Sequence, residues 1–316
     1  MRIITQAELE KLLEYNSLIL ALDEAFREDY TVPLRHHYNF QNPTATNEST
    51  LLLMPAWQAG GYLGVKLIVV TPDNHQRQRP SIQGTYTLFD ANTGTPLAQL
   101  DAKELTNRRT AAASALAARY LARPDSTTLL LVGTGALAPH LIRAHTTGRN
   151  LRQVLVWGRN FAKAERVTER FSDATFTVEA VRDLEAAVAK ADIISCATLS
   201  KKPLLKGAWL QAGQHLDLVG SFKPNMREAD DAALRKSSIF ADFTEGASRE
   251  SGDLAIPLRE GVISPQDIQS DLFGLCRKAH PGRQSSQEIT FFKSVGHALE
   301  DLAAAKLAYG RLGTKN

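Results

Sequence analysis

The chain has 316 residues, 43% of them hydrophobic and 22% charged, which is enough apolar sequence for a sizeable core and enough length for two domains. Its net charge is only +3, and Lys and Arg are interleaved with Asp and Glu instead of forming a basic stripe, so nucleic acid is not an expected partner. No run approaches the roughly 20 apolar residues of a membrane span, Met1–Gln6 lacks the apolar core of a secretory signal, and the two cysteines, Cys196 and Cys276, have no ligand spacing. The expected protein is cytoplasmic, with no membrane partner, disulfide framework or metal.

In chain order, Ser17 can cap a helix reaching Asp29, with Leu18, Leu22, Ala25 and Phe26 on one face. Extended segments follow at Thr50–Met54 and Tyr62–Val70, then a hairpin of Gly84–Phe89 and Pro96–Leu100 around Asp90–Gly94. An alanine-rich helix spans Thr106–Ala122 and is stopped by Arg123-Pro124-Asp125. From Thr128 onward, apolar runs alternate with helical periodicity, as a doubly wound parallel sheet requires. The strands expected there are Thr128–Val132, Gln153–Trp157, Thr175–Val178, Ile193–Ala197, His215–Val219 and Ile239–Asp242. The helices are Ala162–Phe171, Asp183–Ala189 and Ala229–Lys236. After Glu245 the pattern becomes irregular until a last helix at Val295–Leu307. The fold class is α/β, with a Rossmann-type sheet and a smaller region of a different pattern.

The first strand of the alternating part runs directly into Gly133-Thr134-Gly135-Ala136-Leu137-Ala138, a GxGxxA turn opening a helix. A dinucleotide pyrophosphate needs that geometry: Gly133 for the tight turn, Gly135 for close backbone approach, and Ala138 for close packing of helix on strand. The second strand ends in Gly158-Arg159-Asn160, without the carboxylate that usually binds the ribose 2′-hydroxyl of NAD. Arg159, with Asn160 and Lys163 nearby, suits a 2′-phosphate, so NADPH is the expected cofactor, with NADH as the alternative. Two later strand ends, Cys196-Ala197-Thr198 and Val219-Gly220-Ser221, are expected walls for the nicotinamide half.

On the substrate side three cations stand out: Arg35, Lys66 within an apolar strand, and Arg109. A buried ammonium needs an anionic partner, and a carboxylate substrate would supply one. The histidines form no metal-ligand pattern, and no GxSxG elbow supports a serine hydrolase.

Leu51–Trp57, Gly64-Val65-Lys66, Leu105–Ser114, Val132–Ala138, His280-Pro281-Gly282-Arg283 and Ile289–Gly296 together resemble the ornithine cyclodeaminase/μ-crystallin family along nearly the whole chain. The resemblance implies a discontinuous substrate-binding and dimerisation domain, residues 1–113 and 295–316, with a Rossmann domain inserted at 114–294. It further implies a homodimer in which Arg35, Lys66 and Arg109 face the carboxylate of a small amino or imino acid. Lys66 and Arg109 become the candidate catalytic residues.

Cyclodeaminases of the family carry a glutamate just before Leu-Met-Pro and an aspartate after the strand-end glycine; this chain has Leu52 and Phe222 there. Without those carboxylates, deamination and ring closure lack a base. Arg35-His36-His37, Leu51–Trp57 and Gly220–Glu228 instead resemble the segments of family members that reduce Δ1-pyrroline-2-carboxylate and Δ1-piperideine-2-carboxylate, and this resemblance implies a ketimine reductase forming L-proline and L-pipecolate. Ornithine cyclodeaminase, alanine dehydrogenase and a non-catalytic NADPH-binding crystallin are the alternatives.

Overall fold

The computed structural model describes residues 1–43 and 46–313. In chain order they form β1 (Arg2–Ile4), α1 (Gln6–Leu12), α2 (Tyr15–Arg27), β2 (His36–Phe40), β3 (Ser49–Trp57), β4 (Tyr62–Val70), β5 (Ile82–Asp90), β6 (Pro96–Asp101) and α3 (Ala102–Leu121). Next come β7 (Thr128–Val132), α4 (Ala138–Thr146), β8 (Gln153–Trp157), α5 (Phe161–Thr168), β9 (Thr177–Val181), α6 (Leu184–Lys190), β10 (Ile193–Cys196) and β11 (His215–Leu218). The chain closes with α7 (Asp231–Arg235), β12 (Ser237–Ala241), α8 (Thr244–Glu250), α9 (Gly252–Arg259), β13 (Ile268–Asp271), α10 (Leu272–Cys276), β14 (Ile289–Lys293) and α11 (Ala298–Leu312). Two compact units result, Met1–Thr110 with His297–Asn316, and Ala111–Gly296. Their limits lie a few residues from those read in the sequence, the first falling inside α3.

The first unit is built on a six-stranded sheet, β1-β6-β5-β4-β3-β2, antiparallel except where β1 pairs with β6. Its strands alternate, so Gly64, Lys66 and Ile68 of β4 share one buried face with Met54 and Ala56 of β3 and Tyr86 and Leu88 of β5. Several elements departed from expectation, β1 and α1 among them. The second helix begins at Tyr15, so Ser17 lies within it and caps nothing, although Leu18, Leu22, Ala25 and Phe26 are its buried face. β2 lies at the sheet edge with every residue exposed, so no apolar alternation betrays it.

The second unit carries an eight-stranded sheet, β13-β12-β14-β11-β10-β7-β8-β9, parallel throughout. Strands covered on both faces read as unbroken apolar runs, and β7, β10 and β14 are buried accordingly. The chain winds outward from β7 to β9 and then returns to β10 on the other side, so the switch point lies between β7 and β10. β13 and β14 occupy the stretch that looked irregular in sequence, and β14, the last strand in the chain, is inserted between β11 and β12. No helix among the described residues is long and apolar enough to cross a membrane.

Candidate functional site

In the second unit, a groove of about 990 Å³ opens at the carboxyl ends of β7, β8 and β10, the switch-point position at which open α/β sheets bind ligands. Gly133 has φ +130°, and a Cβ there would lie 2.5 Å from Ala197 O, so only glycine makes this turn. A Cβ on Gly135, by contrast, would meet nothing within 4 Å, which leaves room against the backbone for a phosphate. Gly158 is needed for a different reason: a Cβ there would lie 2.6 Å from Thr134 Cγ2. The first two turns are also joined by a hydrogen bond from Gly133 N–H to Trp157 O, 2.9 Å.

Of the residues expected to hold a cofactor, Gly133, Thr134, Gly135, Gly158, Arg159, Asn160, Lys163, Ala197 and Thr198 line this groove. Asn160 is also the N-cap of α5, its Oδ1 accepting from Lys163 N–H at 3.3 Å. Arg159 is exposed and has no ion-pair partner among the described residues. Ala136 and Leu137 form the turn into α4, and Ala138 begins that helix, buried. Cys196, Val219, Gly220 and Ser221 are buried and do not line the groove. Burial pushes the Cys196 thiol well above its ordinary range, which fits a core residue. Lys201 and Lys202, on the loop after β10, add two cations to the lining, and no carboxylate is among the lining residues.

In the first unit, Lys66 and Arg109 are brought together, but by partners that sequence reasoning missed. Lys66 Nζ lies 2.7 Å from Asp301 Oδ2 and 3.4 Å from Thr106 Oγ1. Arg109 donates through Nε to Asp301 Oδ1, 2.9 Å, and through Nη1 to Glu300 Oε2, 2.6 Å. All four charged side chains are buried, Asp301 and Glu300 completely. The partner that a buried Lys66 requires is therefore supplied within the fold by Asp301, on α11. An ammonium has three N–H groups and a guanidinium five, so donors remain beyond these bonds, Nη2 of Arg109 among them.

Neighbouring residues shape the cluster. Met54, Lys66 and Tyr86 are cross-strand partners on β3, β4 and β5. Gly64 must be glycine because a Cβ there would lie 1.8 Å from the Tyr86 hydroxyl. Burial drives the Lys66 ammonium down to about 8; Asp301 opposes the shift, while Arg109 and Arg35 add to it. Burial likewise opposes the charge on Arg109, but Asp301 and Glu300 outweigh it and raise its pKa. Arg35, partly buried, is close enough to depress both Lys66 and His297, the N-cap of α11. His297 is driven by burial to about 4 and is neutral at pH 7. Among the described residues no group of three or more His, Cys, Asp or Glu could hold a metal ion.

The Lys66 shift has a measurable consequence. Affinity for a small cyclic carboxylate that does not itself titrate is expected to stay level below pH 8. It should then weaken by up to about tenfold per pH unit above it, as Lys66 loses its charge. Inhibition constants measured from pH 6 to 10 check this, and a flat profile through pH 9 would show that Lys66 does not hold the carboxylate.

The sheet order and the groove define a Rossmann-type α/β protein with a second, mixed α+β unit. More particularly, the chain belongs to the ornithine cyclodeaminase/mu-crystallin family, whose model matches residues 1–316. It is 46% identical to an uncharacterized protein of Schizosaccharomyces pombe over 97% of this chain and 96% of that one. It is 37% identical to a Delta(1)-pyrroline-2-carboxylate reductase of Colwellia psychrerythraea, covering 96% of this chain and 97% of the relative. Among solved structures it is similar to the Delta(1)-pyrroline-2-carboxylate reductase of Thermococcus litoralis in complex with NADH and L-proline. The TM-score is 0.91 at 34% identity, over 98% of this chain and 97% of that one.

Proposed function

We propose that the chain is an NAD(P)H-dependent reductase of cyclic ketimines, acting on Δ1-pyrroline-2-carboxylate to form L-proline. Full-length similarity to a reductase solved with NADH and L-proline carries this reading. Two departures from the cyclodeaminase pattern support it: Leu52 sits on β3, and Phe222, 40% exposed, follows the turn after β11 with Lys223 Nζ 5.8 Å from its ring. Neither position offers a base for deamination.

A bound nicotinamide would supply the hydride to the imine carbon. The chain's own task is to bind and orient. Lys66 and Arg109 would hold the imino-acid carboxylate with the donors their internal partners leave, and Arg35 would add a third contact. An ammonium near 8 can also pass a proton at physiological pH, which Arg109 cannot, so Lys66 is our candidate relay to the ring nitrogen. Reduction of the six-membered Δ1-piperideine-2-carboxylate belongs to the same proposal, since one methylene is worth only about 1–3 kcal/mol in a pocket. Mixing the protein with NADPH and either imine, and following nicotinamide absorbance, tests the activity. Saturable NADPH binding without oxidation would leave a binding protein instead.

The same groove favours NADPH over NADH in our reading, because Arg159, Lys163, Lys201 and Lys202 line it without a carboxylate. Arg159→Ala is expected to weaken NADPH by roughly 10- to 100-fold while moving NADH less than threefold. Equal losses, measured by fluorescence titration, overturn the 2′-phosphate assignment. A homodimer is also proposed. Tyr38 and Phe40, 52% and 45% exposed on the edge strand β2, give the first unit an apolar surface, and light scattering of the purified protein tests the state.

A further inference from the structure

Glu228 lies beyond the turn after β11 and is fully buried. Its carboxylate accepts four hydrogen bonds. Oε1 takes Thr198 N–H at 2.7 Å and the Thr198 hydroxyl at 2.8 Å; Oε2 takes Gly220 N–H at 2.7 Å and Ser221 N–H at 3.2 Å. One side chain therefore ties together the turns that follow β10 and β11, which are adjacent strands. The approach is close: a Cβ on Gly220 would lie 2.0 Å from Thr198 O and 2.5 Å from Glu228 Oε1.

The residue is itself held in place. Glu228 N–H donates to Asp253 Oδ1 at 2.8 Å, and its carbonyl accepts from Leu204 N–H and Leu205 N–H, both at 2.9 Å. Lys293, at the end of β14, places Nζ 3.9 Å from Glu228 Oε2 and 3.5 Å from Asp253 Oδ2. Burial pushes the Glu228 carboxyl up, and Lys293 and the Thr198 N–H oppose that shift. A loop tie needed only for folding could lie anywhere on the sheet. This one sits at the ligand-binding end of the strands, and one of the residues it holds, Thr198, is a wall of the groove.

We propose that Glu228 is a positioning residue for the nicotinamide end of the dinucleotide, fixing the Thr198 and Gly220 turns at one separation through a single carboxylate. The proposal rests on the reading of the Thr198 turn, which lines the groove, as a nicotinamide wall, with the buried Gly220 turn packed against it as its support. A carboxamide keeps the shape but accepts through only one of its two heavy atoms, so Glu228→Gln must release one turn.

The test compares binding of whole NADPH with binding of its adenine-side fragment, 2′-phospho-ADP-ribose, in the unaltered protein and in E228Q. The expected result is NADPH affinity about tenfold or more weaker in E228Q, a fall in kcat, and fragment affinity unchanged. Parallel loss of both ligands identifies a merely structural tie and overturns the proposal. Unchanged affinity for both, with kcat unchanged, overturns it as well. If the unaltered protein binds the fragment as tightly as NADPH, the reading of the walls fails and takes this inference with it.

A second measurement needs no variant. In native-state hydrogen exchange without cofactor, the amides of Thr198, Gly220 and Ser221 are expected to be protected. Exchange at loop-like rates would mean that the turns are not pinned before the ligand arrives, and would sink the proposal on the unaltered protein.

Discussion

Asp301→Ala is expected to destabilise the protein by about 3–5 kcal/mol, because it leaves the buried Lys66 ammonium without its carboxylate and strips Arg109 of one of two. Chemical denaturation checks the magnitude. The pair also predicts its own rescue: Lys66→Met in the Asp301→Asn background should cost less than the sum of the two single changes, since removing both charges strands neither. Additive costs would mean that the 2.7 Å contact carries little coupling. Acid should act in the same direction as the mutation. Burial raises the Asp301 carboxyl, but Arg109 and Lys66 hold it below its ordinary 3.8. Its contribution is therefore present above that value and is lost as pH falls through the lower folded value.

Lys66→Met is expected to lower kcat/KM for the imino acid by about a hundredfold while leaving dinucleotide affinity within a factor of two. Methionine roughly matches the lysine stem in length and suits a position flanked by Met54 and Tyr86, so packing is kept and the cost to stability comes from the charge left on Asp301. Asp301 keeps its bond to Arg109 Nε. A loss of that size cannot come from bulk screening of a surface charge, because Lys66 is only 2% exposed. Unchanged kcat/KM would show that Lys66 serves the fold alone and that Arg109 and Arg35 suffice for the carboxylate. Weakened dinucleotide binding would point instead to general damage.

Much of the second unit was legible beforehand because its signals are local. The run Leu129–Val132 into Gly133 has the composition of a buried strand ending in a turn that only glycine can make, and both features appear where expected. β8 likewise spans Gln153–Trp157, as its apolar run indicated. β14 escaped notice although all five residues of Ile289–Lys293 are buried. A short apolar run does not reveal its neighbours, and this one pairs with β11 and β12, both distant in the chain. β2 escaped for the opposite reason, since an exposed edge strand carries no hydrophobic period.

The sites divide in the same way. Sequence by itself determined the glycine turn, the cations at Lys66, Arg109 and Arg159, and the missing carboxylates at Leu52 and Phe222, because backbone conformation and side-chain charge belong to single residues. It also determined that a buried Lys66 needs an anion. Only the tertiary structure decided which one. Asp301 and Glu300 look like ordinary charges at the start of a helix, and Glu228 like one more acid in a loop. Each acquires its role from groups far away in the chain: Lys66 and Arg109 for the first two, Thr198, Gly220 and Lys293 for the third. Strength of interaction in a dry interior depends on distances of a few ångströms, and folding alone sets those distances.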